Sequence, residues 1–336
     1  MEAARSTFFS SANFADRHWY RLSPVSVLLF PASLAFRLLV SLRRTLYRAG
    51  LMRSVRMPVP VIVVGNLTVG GTGKTPLVLW LAEALRRRGK HPGIVSRGFG
   101  TRQHAPKQVK PGDDTTVVGD EPLLLAEKSG CPVWIGADRA GAARALLAAN
   151  PECDVILSDD GLQHYGLARD FEIAVQDVRG LGNGLLLPAG PLREPPGRRV
   201  DATVANGGVP PPGAYQMRLR PAGFYRLDSP GTDVPIEQLA RQRLHAVAGI
   251  GNPERFFSEL AQMGLVFAAH AFADHHVFRP GDLEFSDCDL VLMTEKDAVK
   301  CRGFGRRDLM AVRVVAEVDP ALVELTLDRI HGRAPA

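Results

Sequence analysis

Lys74 and Thr75, directly behind a run of glycines, are the residues whose types and spacing most plainly suggest chemistry. In the stretch VIVVGNLTVGGTGKTPLVLWLAEALRRRG, a β-branched apolar run leads into Gly70, Gly71, Thr72 and Gly73, and an amphipathic helical pattern follows. Glycines let consecutive backbone N–H groups converge on phosphate oxygens, and the helix N-terminus adds its partial positive charge. Lys74 can then reach the β- and γ-phosphates and Thr75 can ligate Mg2+. Pro76 falls in the first helical turn, where its missing donor is harmless. The match to G-x-x-x-x-G-K-[ST] is partial, because the first glycine of that pattern is replaced by Thr68. An ordinary Gly-rich turn would leave unexplained why Gly-Lys-Thr opens a helix just after an apolar strand.

A phosphate loop also needs an acid for its metal at the end of a neighbouring strand. The run Asp154-Val-Ile-Leu-Ser158 followed by Asp159-Asp160-Gly161 offers two. The alternative is a strand-ending Asp-Gly turn. Lys74 with this acid pair points to a nucleoside triphosphate and Mg2+, although binding alone does not specify a reaction.

These side chains require an alternating framework. Candidate strands are Val59–Val64, Gly93–Ser96, Pro132–Ile135, Asp154–Ser158, Glu172–Gln176 and Ala202–Ala205, with helical patterns at Pro76–Arg88, Pro122–Lys128 and Arg139–Ala149. That order predicts an α/β fold, a P-loop-type parallel sheet with flanking helices. Residues 179–200 and 207–213 are too rich in Gly and Pro for regular structure. A second alternation follows: strands at Leu244–Ala248, Val266–Ala271, Asp289–Met293 and Ala311–Ala316, and helices at Pro253–Met263 and Pro320–Ile330. The expected division is an N-terminal arm (1–56), a nucleotide-binding kinase domain (57–213), a joining segment and hinge (214–240), and a smaller C-terminal α/β domain (241–336). Ala248-Gly-Ile-Gly-Asn-Pro253 lacks the third glycine of a dinucleotide fingerprint and reads as a strand-to-helix turn.

Composition narrows the function classes. With 336 residues, 46% hydrophobic and 23% charged, the chain has the makeup of roughly two globular domains, which excludes disordered and collagen-like classes. Four scattered cysteines without a C-x-x-C pair indicate neither a zinc site nor a disulfide framework. The net charge of +6 is local: residues 1–56 carry nine arginines against Glu2 and Asp16, whereas the other 280 residues hold 32 basic and 33 acidic side chains. This asymmetry fits an arm meeting an anionic surface, with no nucleic-acid partner. The fifteen uncharged residues between Arg21 and Arg37, interrupted by Pro24 and Pro31, are too short to span a bilayer. From Ala35, the residues Leu38, Leu39, Leu42 and Leu46 share one helical face, and Arg37, Ser41, Arg44 and Arg48 another. Such an amphipathic basic helix can lie in the headgroup layer, pack on its own domain, or dimerise.

Further loops concentrate functional residue types: Ser96-Arg97-Gly98-Phe99-Gly100, Gly119-Asp120-Glu121-Pro122, Asp159-Asp160-Gly161-Leu162-Gln163-His164, Pro188-Ala-Gly-Pro-Leu-Arg-Glu-Pro195, Asp274-His275-His276 and Thr294-Glu295-Lys296-Asp297. Together with V-G-G-T-G-K-T-P they resemble the tetraacyldisaccharide 4′-kinase family of lipid A biosynthesis, from about residue 58 to 300, and the N-terminal helix is similar too. The resemblance implies transfer of the ATP γ-phosphoryl group to the 4′-hydroxyl of a tetraacylated glucosamine disaccharide 1-phosphate. The enzyme would sit peripherally, or monotopically, at the cytoplasmic face of the bacterial inner membrane, its arm on the membrane surface and its substrate a lipid.

The resemblance also implies roles. Asp120 is the base, paired with His275, and Lys74 and Arg193 face the transferred group. Gly70, Gly71, Thr72, Gly73, Lys74, Thr75, Arg139 and Gln163 hold ATP, and Thr75, Asp159 and Asp160 hold Mg2+. Which of Asp159 and Asp160 is the direct ligand stays open. Read without the resemblance, Asp120 is equally an N-cap, His275 a loop histidine with His276 as competitor, and Arg139 and Arg193 surface charges. A hydrolysing P-loop switch would share Lys74, Thr75 and Asp159 without needing Asp120 and His275, but no N-K-x-D guanine reader is present. A nucleotide-regulated adaptor would need none of the catalytic set.

Overall fold

A computed structural model of the chain describes residues 18–98 and 105–331. Residues 1–17 of the arm, and Phe99 and Gly100, lie outside the described residues. In chain order the elements are α1 (Pro24–Arg48), β1 (Val61–Gly65), α2 (Lys74–Arg87), β2 (Pro92–Ser96), β3 (Lys107–Val109), α3 (Thr115–Val118), α4 (Asp120–Lys128), β4 (Val133–Ile135), α5 (Arg139–Ala149), β5 (Val155–Asp159), β6 (Phe171–Asp177), β7 (Ala202–Asn206), β8 (Tyr215–Arg226), β9 (Ser229–Val234), α6 (Ile236–Leu239), β10 (Leu244–Ala248), α7 (Pro253–Gln262), β11 (Phe267–Ala271), β12 (Leu290–Thr294), α8 (Glu295–Cys301), β13 (Leu309–Val318) and α9 (Ala321–His331). They form a larger unit, within residues 12–219 and 316–336, and a smaller unit at Arg220–Val315. The chain passes between the units inside β8 and β13, and α9 belongs to the larger unit rather than to a domain running to the C-terminus.

In the larger unit the strand order is β7-β6-β1-β5-β2-β4-β3, parallel except for β3, which runs antiparallel to β4. Every residue of β1, β2 and β5 is buried, as β-branched runs covered on both faces require. From β1 the chain crosses to β2 on one side, and after β5 it returns past β1 to β6, so the carboxyl ends of β1 and β5 lie side by side. Such a switch of direction opens a crevice where ligands bind. α2 faces the sheet with Leu77, Val78, Leu81, Ala82 and Leu85, and Gly89, at φ +76°, ends it. Asp138 caps α5 by accepting the Ala140 N–H at 3.0 Å. α5 packs so closely on β2 that a Cβ on Gly93 would meet Leu146 Cδ2 at 2.5 Å.

In the smaller unit β11-β10-β12-β13 are parallel and β9 pairs antiparallel with β8. Phe256, Phe257 and Leu260 of α7 cover Leu244, Ala246 and Leu292 on one face. Val247, Val291 and Met293 pack with Phe278, Ala298 and Cys301 on the other. The elements expected from the alternation lie within two residues of their observed ends. Unanticipated were β3, α3, α6, α8 and the β8–β9 hairpin; the hairpin and α6 occupy much of the segment expected as a joining piece.

The N-terminal helix also differs from expectation. It runs unbroken from Pro24 to Arg48, with Ser23 as N-cap, Pro24 in the first turn and Pro31 inside. One proline removes a single rung of the i→i−4 ladder; the helix continues, and its buried serines anchor it. Ser33 Oγ donates to the Leu186 carbonyl at 2.8 Å, and Ser26 Oγ to the His18 carbonyl at 2.9 Å. The 25-residue helix is long and apolar enough to cross a membrane by length and composition, with a mean hydropathy of 2.0 over its best 18-residue window.

Candidate active site

The phosphate loop is shaped by its carbonyls. Asn66 Nδ2 donates to Gly70 O at 3.1 Å, Arg179 donates to Gly71 O at 3.0 Å, and Asn206 Nδ2 donates to Thr72 O at 2.9 Å. Three successive carbonyls are thereby held by side chains, which leaves the successive N–H groups to make the anion nest that such loops provide. Gly70 and Gly73 take φ of +98° and +96°, the left-handed region that side chains disfavour, and a Cβ on Gly73 would collide with Asn206 Nδ2. Thr68, where the consensus has glycine, is buried and forms an antiparallel bridge with Leu192; Val69 N donates to Pro191 O at 2.9 Å and Arg193 N to Leu67 O at 2.7 Å. These backbone bonds seat the loop against residues 191–193.

Beneath the loop, Lys74 and Thr75 open α2 with buried side chains. Lys74 Nζ lies 3.6 Å from Asp160 Oδ1, and Arg193 donates to both Asp160 oxygens at 3.1 Å and to Gln163 Oε1 at 3.3 Å. Burial pushes the Asp160 carboxyl up, but Lys74 and Arg193 together overcome it and hold the group below its ordinary value. Asp160 sits at φ +46° in the turn closing β5, so the strand-ending turn is present and carries a paired carboxylate. Asp159 behaves oppositely. It is fully buried, and burial, then Glu121 and Asp160, push its carboxyl up to about 7 against the pull of Lys74 and Arg139. Ser96 Oγ donates to its Oδ2 at 3.3 Å, while its buried Oδ1 has no hydrogen-bond partner.

Arg139, at the first position of α5, donates to the Asp159 carbonyl at 2.9 Å and the Asp160 carbonyl at 3.2 Å. It is buried rather than a solvated surface charge, and burial lowers it to about 10 although Asp159 and Asp160 oppose that shift. Gln163 Nε2 donates to Asn66 O and to Glu194 Oε1, both at 3.1 Å, tying the phosphate loop to the Arg193 segment. Glu194 also accepts from Tyr165 Oη at 2.6 Å and pairs with Arg198 at 2.6 Å.

Asp120 is buried and is the first residue of α4; the N-cap is Gly119, so Asp120 does not cap the helix. Its Oδ1 accepts the Glu121 N–H at 2.9 Å. The influence of Glu121 on Asp159 puts this helix start at the same end of the sheet as the acid pair.

A family model described as tetraacyldisaccharide-1-P 4′-kinase matches residues 25–331. The chain belongs to that family. Members of the tetraacyldisaccharide 4′-kinase family at similar length include one from Azoarcus sp. (strain BH72), 52% identical over 96% of this chain and 97% of that one. Another, from Methylobacillus flagellatus, is 49% identical with coverage of 96% and 97%. The crystal structure of the "apo" form of LpxK from Aquifex aeolicus in complex with ATP superposes with a TM-score of 0.77 at 29% identity, covering 91% of this chain and 99% of that one.

The larger unit thus brings together Gly70–Thr75, Arg139, Asp159, Asp160, Gln163 and Arg193, with Asp120 at the same sheet end. His275 belongs to the smaller unit, on a loop where it takes φ +59° and its N–H donates to Gly249 O at 3.2 Å. Its neighbour His276 is engaged within that unit, 3.0 Å from Asp282 and packed on Phe272 and Phe278. Sequence reasoning missed Asn66, Asn206 and Arg179. Asn66 directly follows β1 and was open to suspicion; the other two lie more than a hundred residues beyond the loop they hold. Only the strand order, which sets β6 beside β1 and β7 beside β6, makes them its neighbours.

Proposed function

We propose that this chain transfers the γ-phosphoryl group of ATP to the 4′-hydroxyl of a tetraacylated glucosamine disaccharide 1-phosphate in lipid A biosynthesis. The observation that carries the reading is the preformed cradle over Lys74 and Thr75, facing a buried carboxylate, Asp159, and a partly exposed ion-paired one, Asp160, in a chain of this kinase family. The hydroxyl oxygen attacks the γ-phosphorus, its proton passes to Asp120, and the bond to the β-phosphate oxygen breaks to release ADP. Lys74 and Arg193 stabilise charge on the transferred group.

The donor set fits Mg2+. Asp160 is committed to Lys74 and Arg193, whereas Asp159 Oδ1 is buried without a partner. Asp159, with the Thr75 hydroxyl, is therefore the proposed direct ligand and Asp160 the organiser of the two cations. Among the described residues no group of three or more His, Cys, Asp or Glu could hold a metal alone; Mg2+ needs only one or two carboxylates when phosphates complete its shell. When bound, the ion would supply positive charge to offset that on the ATP phosphates.

The lipid substrate and the helix support each other. On α1, Leu28, Leu38, Leu39 and Leu42 are each more than half exposed, among interspersed arginines. That face suits the acyl–headgroup boundary at the cytoplasmic surface, where ATP is available. A cavity of about 290 Å³ between α1 and residues 184–198, lined by Phe30, Leu34, Arg37, Arg44, Leu186 and Arg198, offers apolar walls and cations to an acylated phosphosugar. The test is incubation of purified protein with Mg2+, γ-labelled ATP and the acylated disaccharide 1-phosphate in mixed micelles. Label should move to the lipid; release of inorganic phosphate independent of lipid would instead support a hydrolysing switch.

A further inference from the structure

The phosphate loop has a second attachment, to the segment that leads into α1. Arg179 stands two residues beyond the end of β6 and is fixed there by Asp177: its Nε and one Nη reach Asp177 Oδ2 at 2.9 and 2.6 Å, and its backbone N–H donates to Asp177 Oδ1 at 3.0 Å. The Nη that binds Asp177 also donates to the Gly71 carbonyl at 3.0 Å. A Cβ placed on Gly70 would lie 3.7 Å from both Nη atoms, so the guanidinium lies against the glycine pair. The Tyr20 ring covers this guanidinium, its centroid 5.5 Å from Cζ.

Tyr20 is not a loose surface ring. Asn183 N donates to Trp19 O at 2.8 Å, Asn183 Nδ2 donates to His18 O at 3.2 Å, and Trp19 Nε1 donates to Pro188 O at 3.0 Å. Gly182 passes so close that a Cβ there would meet Trp19 O at 2.6 Å. Four residues after Tyr20, α1 begins. A continuous path of fixed contacts therefore runs from the start of the apolar helix, through the Tyr20 ring and the Arg179 guanidinium, to the Gly71 carbonyl. That carbonyl belongs to the peptide joining Gly71 to Thr72, inside the phosphate loop.

We propose that Arg179 is a positioning residue for the phosphate loop and that Tyr20 makes its grip depend on the seating of the N-terminal segment, so that the membrane arm tunes nucleotide affinity. This rests on the nucleotide reading of the loop. Arg179 holds the Gly71 carbonyl; without it the Gly71–Thr72 peptide can rotate and the loop loses its preformed geometry. Tyr20 contributes by shielding the guanidinium from water, which strengthens its bonds to Asp177 and Gly71.

The test measures Mg-ATP binding calorimetrically to the full-length chain in detergent micelles, without the lipid substrate. The Kd should rise about tenfold in Arg179→Ala, the scale of a lost charge-assisted hydrogen bond. It should rise about threefold in Tyr20→Ala and remain at the wild-type value in Tyr20→Phe, which keeps the ring face. The double variant Tyr20→Ala/Arg179→Ala should match Arg179→Ala alone, because the two act in series. In turnover assays the KM for ATP should rise while the KM for the acylated disaccharide stays fixed, a split that general loss of stability would not produce. An unchanged Kd in Tyr20→Ala, or single effects that multiply in the double variant, overturns the coupling. Should Arg179→Ala not fold, Tyr20→Ala against Tyr20→Phe decides alone. A wild-type chain that fails to bind Mg-ATP would sink the nucleotide reading itself, a result distinct from wild-type binding that the Tyr20 variants leave untouched.

Discussion

Replacing Asp159 by Asn should make the nucleotide-free protein more stable and the enzyme inactive, and the structure sets the scale. Burial raises the Asp159 carboxyl from 3.8 to about 7. The folded state therefore binds this proton more tightly than the unfolded chain. The group's contribution to stability is fully present below pH 3.8 and is lost as pH rises through about 7. At 1.36 kcal/mol per pH unit, the shift corresponds to on the order of 4 kcal/mol, of which about 3 kcal/mol is lost between pH 5 and pH 8. The amide of the Asp159→Asn variant carries no charge to bury. Thermal unfolding in EDTA should show the variant several degrees more stable than wild type at pH 8, with the gap closing toward pH 5. Added Mg-ATP at about 100 times Kd should stabilise wild type by about 2.7 kcal/mol, while the variant should lose the Mg-dependent part. A variant less stable at pH 8, or a gap that does not change with pH, would mean that Lys74 and Arg139 outweigh burial and that the metal assignment lacks its physical basis.

Other perturbations separate the parts of the site. Asp120→Asn should lower kcat by about 10²-fold or more with Mg-ATP affinity retained, as loss of a general base does; wild-type turnover would reassign the base. Gly73→Ala forces a Cβ into Asn206 at φ +96°, so it should abolish ATP binding while circular dichroism stays native; retained binding would mean that the loop tolerates rearrangement. Leu38→Glu with Leu39→Glu, on the exposed face of α1, should reduce sedimentation with anionic vesicles without changing the Kd for Mg-ATP. Undiminished vesicle binding would move the membrane contact elsewhere.

Much of the fold could be read locally because its signals are local. The buried β-branched runs at Val61–Val64 and Val155–Leu157 and the caps and glycines around α2 and α5 announce parallel strands and their helices. The Gly-Lys-Thr start of α2 and the Asp159-Asp160 pair were legible for the same reason: each motif sits at the end of its own strand. What the sequence could not rank was the division of labour between those two aspartates. It depends on which carboxylate Lys74 and Arg193 reach, and Arg193 comes from a loop thirty-three residues away. The clamp on the loop carbonyls was equally hidden, because Asn206 and Arg179 are brought in by sheet order. Pro31 misled in the opposite direction. It reads as a break, yet α1 continues through it, with Ser33 bonded to the Leu186 carbonyl and Ser26 to the His18 carbonyl just before the helix.

The most direct measurement of the central claim is phosphorus NMR and mass spectrometry of the lipid after turnover, with ADP counted in the same sample. Transfer from the cradle over Lys74 predicts one new phosphomonoester at the 4′ position for each ADP formed, and neither product with Lys74→Met. ADP accumulating while the lipid keeps a single phosphate, or a Lys74→Met variant that phosphorylates as wild type does, would contradict it.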